Sequence, residues 1–147
     1  MGRVVIGDDC EIGALTAIDR ATAGETKIEN GVKIDNLVQI GHNVEIGAHS
    51  VIAGQVGIGG SSKIGSRVVM GGQVGVGDHV QVCDDVRFGG QTGIARDINE
   101  PDDYWGTPAR KSNDEIRISL LVEKLPEILK RLKRMEQEID TLRKQAK

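Results

Sequence analysis

Aromatic side chains are almost missing from this sequence: one Phe, one Trp and one Tyr in 147 residues. A domain of this length ordinarily fills its centre with more of them, so this fold must close without large rings. Proline is scarce at 3, and the 20 glycines, twice the usual ~7%, follow no G-x-y triplet, which excludes collagen. Cysteine is limited to Cys10 and Cys83, too few for a disulfide framework, and free buried thiols in a reducing cytoplasm are the simpler expectation. No run approaches ~18 apolar residues, so no membrane span is expected. The opening MGRVVIGDDCEIG carries charges where a secretion signal needs an apolar stretch, and Gly2 lacks the Ser or Thr of a myristoylation signal. An excess of either charge is missing too: 19 basic against 22 acidic residues, net −3, gives no electrostatic case for nucleic acid. The apolar share of 38%, rich in Val and Ile, argues against disorder.

What is present is a repeat. Aliphatic residues recur every sixth position, at Ile6, Ile12 and Ile18 and then from Ile28 without a break to Ile94, with Met70 and Phe88 taking two of the slots. The next residue is usually small, as at Gly41, Gly47 and Gly59, and four residues after each aliphatic comes a small or β-branched one, as at Val38, Val44 and Ser50. The step from 18 to 28 is ten residues instead of six, which marks a four-residue insertion near 21–25. A period of six is neither helical nor a simple alternation. It predicts a parallel β-helix: short strand, tight corner, three flat faces per coil, the aliphatics pointing inward. Small residues after each aliphatic are expected because the chain turns there and Gly tolerates unusual φ. Stacked coils bury one another, which removes the need for an aromatic centre. Fifteen hexads make an all-β solenoid of five coils over residues 1–98.

Residues 99–111, with Pro101 and Pro108, read as a turn-rich linker, and 112–147 as a short C-terminal helical tail. There Leu121, Leu125, Ile128, Leu132, Met135, Ile139 and Leu142 follow a 4,3 spacing, a heptad seam that calls for partner helices and so for self-association. Pro126 is expected to interrupt the seam and start a second helix at its first turn. Basic residues gather at Lys130, Arg131, Lys133 and Arg134, a solvated face or a dock for an acidic carrier protein.

In a β-helix with six residues per side, residues 18 apart share a column. His42, Gly60, Asp78 and Arg96 form one column, and Asn43, Ser61, His79 and Asp97 the next. His42 and His79 therefore lie near one prism edge, two coils and ~10 Å apart in backbone terms, whereas His49 faces another side. An imidazole beside a bare backbone N–H, here His42 beside Gly60, is a candidate general base with an oxyanion donor. GIGGSSK has no phosphate-loop spacing, and the Asp-Asp pairs read as corners.

These hexads resemble the bacterial hexapeptide acyltransferases, whose fold is a left-handed parallel β-helix assembled as a homotrimer. The segments TAIDR, KIDNLVQIGHNV and IAGQVGI, the YWGTPAR stretch and the terminal helix are similar, within that family, to the N-acyltransferases of lipid A biosynthesis. The resemblance implies transfer of a 3-hydroxyacyl group from acyl carrier protein to the 2-amine of UDP-3-O-acylglucosamine in the cytoplasm, without metal or cofactor. It assigns His42 as base and the backbone N–H of Gly60 as oxyanion donor. It places Asp35 and Asn36 in the substrate cleft, His79 in binding or orientation, and Arg96 on a carrier or phosphopantetheine phosphate. Asp35 is too far along the chain to reach His42 within one subunit, so the cleft would form between neighbouring copies. Family members carry an N-terminal uridine-recognising domain and earlier coils that this sequence does not contain. Two alternatives remain: a non-catalytic trimeric scaffold that keeps the prism and the seam, and a hexapeptide carbonic anhydrase, which needs three His around one zinc.

Overall fold

A computed structural model describes residues 1–145. Each hexad becomes a short strand, from Arg3–Ile6 to Gly93–Ile94, and the strands are joined by tight corners. Every third strand stacks on the last in parallel register, giving three sheets that form the faces of a β-solenoid. The first face runs from Arg3–Ile6 to Gln81–Val82, the second starts at Glu11–Ile12, and the third runs from Ala17–Ile18 to Gly93–Ile94. Beyond the insertion the register is 18, as in Lys63↔Gln81. Across it the register is 22, as in Ala17↔Gln39, so the four extra residues are accommodated without shifting the phase.

The core is the aliphatic column together with the small or β-branched column. Ile28, Ile40, Ile46 and Ile52 are fully buried with Val32, Val38, Val44 and Val56. Ser50 and Ser62 occupy the same slots, and each hydroxyl donates to a carbonyl of the next coil, Gly65 and Gly77 at 2.9 and 2.8 Å, so that burial leaves neither unpaired.

Glycine has a different purpose from the one expected. The corner residues with positive φ are mostly not glycine: Asn43, His49, Gln55, Ser61 and His79 all lie near +60°. At Gly13, Gly47, Gly59 and Gly65 the glycine after the aliphatic is set by close approach instead. A Cβ on Gly47 would sit 2.5 Å from both Gly65 C and Ser66 N, backbone atoms that cannot move aside.

Two expectations for the C-terminal third are corrected. The 99–111 segment is not simply a linker: Asp103–Trp105 adds a parallel strand to the second face beside Arg87–Phe88, and Arg110–Lys111 pairs back on it antiparallel. Tyr104 is buried there with its ring 5.8 Å from that of Phe88, and Arg87 grips Asp103 at 2.7 Å. In place of two helices there is one, Ser112–Gln145, with Pro126 inside it. The φ of proline is already helical, so the missing N–H costs one hydrogen bond and the helix continues. The chain divides into two compact units at Ser112, and within the second the seam residues Leu121 to Leu142 are all exposed. Among the described residues no helix is long and apolar enough to cross a membrane.

Candidate active site on a solenoid edge

The edge between the third and first faces carries the column predicted from spacing. The corner enlarged by the insertion, residues 19–24, is its lowest, and His42, Gly60, Asp78 and Arg96 follow coil by coil. Ladder bonds fix the order: Ser61 N–H donates to the His42 carbonyl at 2.8 Å, and His79 N–H to that of Gly60 at 2.9 Å.

His42 is exposed and points along the edge toward Gly60. Its Nε2 lies 2.7 Å, and its Cε1 2.8 Å, from where a Gly60 Cβ would be. Only glycine leaves room for the ring. On the other side of the imidazole, Nδ1 is 3.3 Å from Asn43 Oδ1. The Asn43 side chain is held by the insertion: Oδ1 accepts from Thr22 N–H and Oγ1 at 3.1 and 3.0 Å, and Nδ2 donates to the Ala23 carbonyl at 2.7 Å. Its backbone N–H donates to Oγ1 of the buried Thr26 at 2.9 Å. An acceptor fixed beside Nδ1 favours the tautomer with the proton on Nδ1, leaving the Nε2 lone pair toward Gly60. Spacing places Asn43 in the column of His79 but gives it no role, and nothing in the spacing shows the insertion gripping it.

The Gly60 N–H is not vacant. It donates to Asp78 Oδ1 at 2.9 Å. The amide that the resemblance makes an oxyanion donor belongs to the residue packed against the imidazole, and it is already bonded to a carboxylate. His79, at φ +60°, and Arg96 are exposed on the same edge, as expected. His49 is on the edge between the first and second faces, against Gly31, so the three histidines do not converge within the chain.

Asp35 and Asn36 are on neither of these edges. They form the corner between the second and third faces, both exposed, where Asn36 N–H donates to Asp35 Oδ1 at 2.8 Å and Asn36 Oδ1 accepts the Ala14 N–H at 2.6 Å. Asp35 borders an open groove of about 520 Å³ that also exposes Ile12, Val51 and Ala53. Within one chain the structure does not bring Asp35 and Asn36 to His42. Of the two thiols, Cys83 is half-buried and burial pushes its pKa up. It stays protonated near neutrality and is a poor nucleophile.

The family model for bacterial transferase hexapeptide repeats (six repeats) matches residues 25–60, the coils that carry Asp35, His42 and Gly60. The chain is 53% identical over 145 residues to UDP-3-O-acylglucosamine N-acyltransferase of Phocaeicola vulgatus, covering 99% of this chain and 42% of that protein. It is 50% identical over 142 residues to the protein of the same name from Chlamydia pneumoniae, covering 97% and 39%. The chain thus spans about two fifths of the length of these curated relatives. Among solved structures it is similar to a UDP-N-acetylglucosamine acyltransferase from Campylobacter jejuni, with TM-score 0.70, 25% identity, and 72% of this chain and 43% of that one covered. Residues 25–60 thus match the hexapeptide repeats of bacterial transferases, and nearly the whole chain is similar to about two fifths of proteins named UDP-3-O-acylglucosamine N-acyltransferase.

Proposed function

We propose that the chain carries the acyl-transfer centre of an N-acyltransferase, moving a 3-hydroxyacyl group from acyl carrier protein to the 2-amine of UDP-3-O-acylglucosamine. The observation that carries this is the contact of His42 Nε2 with Gly60, with Nδ1 facing a clamped Asn43. The amine nitrogen attacks the thioester carbonyl carbon while Nε2 takes one of its protons. The Gly60 N–H stabilises the oxyanion that forms on the former carbonyl oxygen. Collapse breaks the carbon–sulfur bond, and the imidazolium returns the proton to the departing thiolate, giving an amide and a free pantetheine thiol. No step requires a metal. His79 orients substrate, and Arg96 holds a phosphate of the carrier or its arm. Asp35 and Asn36 come to the site from the neighbouring copy of a homotrimer, because within one chain they face another edge. The basic run at Lys130–Arg134 offers a surface to the acidic carrier protein.

Incubation with a 3-hydroxyacyl-carrier thioester and UDP-3-O-acylglucosamine is expected to yield the N-acyl product by mass spectrometry. No transfer above background counts against the proposal and favours a non-catalytic trimeric scaffold, which the occupied Gly60 amide also supports. Gly60→Ala supplies a sharper test. The added methyl keeps the backbone N–H but collides with the imidazole, a side chain that can swing away. Turnover should fall on the order of 100-fold, the usual consequence of displacing a reacting group by an ångström. The melting midpoint should stay near that of the parent. Equal turnover in Gly60→Ala and parent would remove the imidazole from the mechanism.

The seam makes a prediction of its own. Leu132, at the middle of the exposed heptads, is 49% accessible in the single chain. Leu132→Asp is expected to shift sedimentation from trimer toward the 15.8 kDa monomer. An unchanged trimer would place the association in the solenoid alone.

A further inference from the structure

We propose that Asp78 is a gate on the Gly60 amide: its carboxylate holds the oxyanion donor shut in the resting site and must leave before a thioester carbonyl can use it. This rests on the assignment of Gly60 as that donor.

The bond is a version of a corner device used around the solenoid. At these corners the residue just after the aliphatic keeps its ladder bond, and the N–H of the next residue is taken by a side chain from the next coil. Asp84 Oδ1 accepts from Ser66 N–H at 2.8 Å, and Asn30 Oδ1 from Asp8 N–H at 2.9 Å. At those edges the cap only satisfies a backbone donor. At the His42 edge the same cap falls on the amide of the residue whose open Cα side faces the imidazole, so Gly60 is between a base on one coil and a carboxylate on the next. Gly59 leaves the space: a Cβ there would collide with Asp78 Oδ1 and lie 2.6 Å from Asp78 N.

One N–H makes one strong hydrogen bond, and two acceptors compete for it. A carboxylate is a charged acceptor and binds an amide roughly twice as strongly as a neutral carbonyl does. The incoming thioester oxygen is neutral in the ground state and gains charge only as the amine attacks. It therefore begins at a disadvantage that Asp78 sets. Asp78 is exposed, so its carboxylate can turn into water once displaced. It is a positioning residue that acts through Gly60 and needs no contact with the acyl group.

The test follows the Gly60 amide by ¹⁵N–¹H NMR in the full chain while a 3-hydroxyacyl-pantetheine thioester is added, alongside steady-state transfer kinetics. In Asp78→Ala the thioester concentration that half-shifts the Gly60 resonance should fall about tenfold, the step expected when a charge-assisted bond no longer has to be broken. Turnover should rise. Asp78→Asn keeps an oxygen acceptor without the charge and should fall between the two. Asp84→Ala removes the equivalent cap on another edge and should match the parent. If Asp78→Ala binds and turns over as the parent does, or if Asp84→Ala reproduces its effect, the gate is overturned and Asp78 is one more corner cap. If the Gly60 resonance ignores the thioester in every protein, the donor assignment falls, and the gate with it. The loss expected on removing His42 is a separate measurement and fails separately.

Discussion

His42→Ala is expected to lower the rate of acyl transfer by roughly 10²–10⁴-fold, the range over which a positioned general base accelerates proton transfer. The fold should not register the change. His42 is exposed, its imidazole contributes nothing to the aliphatic column, and its backbone carbonyl goes on accepting the Ser61 N–H. Far-UV circular dichroism and the melting midpoint should match the parent while turnover collapses. Rate must fall through kcat more than through KM, since the imidazole's work is done on the reacting amine and not on the sugar or the carrier. His49→Ala is the matched control: the same deletion on a different edge, expected within about twofold of parent, because surface truncations away from a site seldom matter. A His42→Ala protein as fast as the parent would leave the edge without a base. Imidazole supplied in solution should restore part of the lost rate if the missing function is proton transfer.

Much of this edge is legible from residue numbers because a β-helix turns sequence separation into position. Once the aliphatic phase from Ile28 to Ile94 is recognised, the register of 18 follows, and with it the column His42, Gly60, Asp78, Arg96. The same arithmetic separates His49 from the other two histidines and keeps Asp35 off the His42 edge. Spacing says which residues share a column but not where their side chains go. Asp78 can be read as sitting above Gly60, yet its grip on the Gly60 amide depends on a rotamer. The clamp on Asn43 depends on how residues 19–24 fold back, and an insertion outside the repeat has no period to reveal it. The same gap hid the strand at Asp103–Trp105. Its sequence is rich in turn formers and out of phase with the hexads, and it joins the second face because Tyr104 can cover Phe88. Pro126 misled in the other direction: a breaker by reputation, it is tolerated within a helix of 34 residues.

Ile46→Ala should cost about 2–5 kcal/mol of unfolding free energy, and Ile6→Ala about 1, although both delete the same atoms from the same column. Ile46 is 0% exposed and stacks in register between Ile28 and Ile64. Truncating it opens a cavity between two coils whose backbones are locked by ladder bonds and by glycines in contact, so neither can settle into the gap. Ile6 is 46% exposed, with Ile28 on one side. Its lost methyls were half in water already, and the end coil can relax. Urea titration of the two variants should separate them by midpoint, and Ile46→Ala should unfold with the shallower slope. The larger loss has a second consequence. In a stacked array each coil is stabilised chiefly by its neighbours, so a weak central coil divides the solenoid into two short stacks, and the His42–Gly60 edge spans that division. Ile46→Ala should therefore lose transfer activity at lower urea than it loses strand signal. Equal midpoints for Ile46→Ala and Ile6→Ala would mean that the coils do not depend on their neighbours, and the edge would then have to be held in place by something other than stacking.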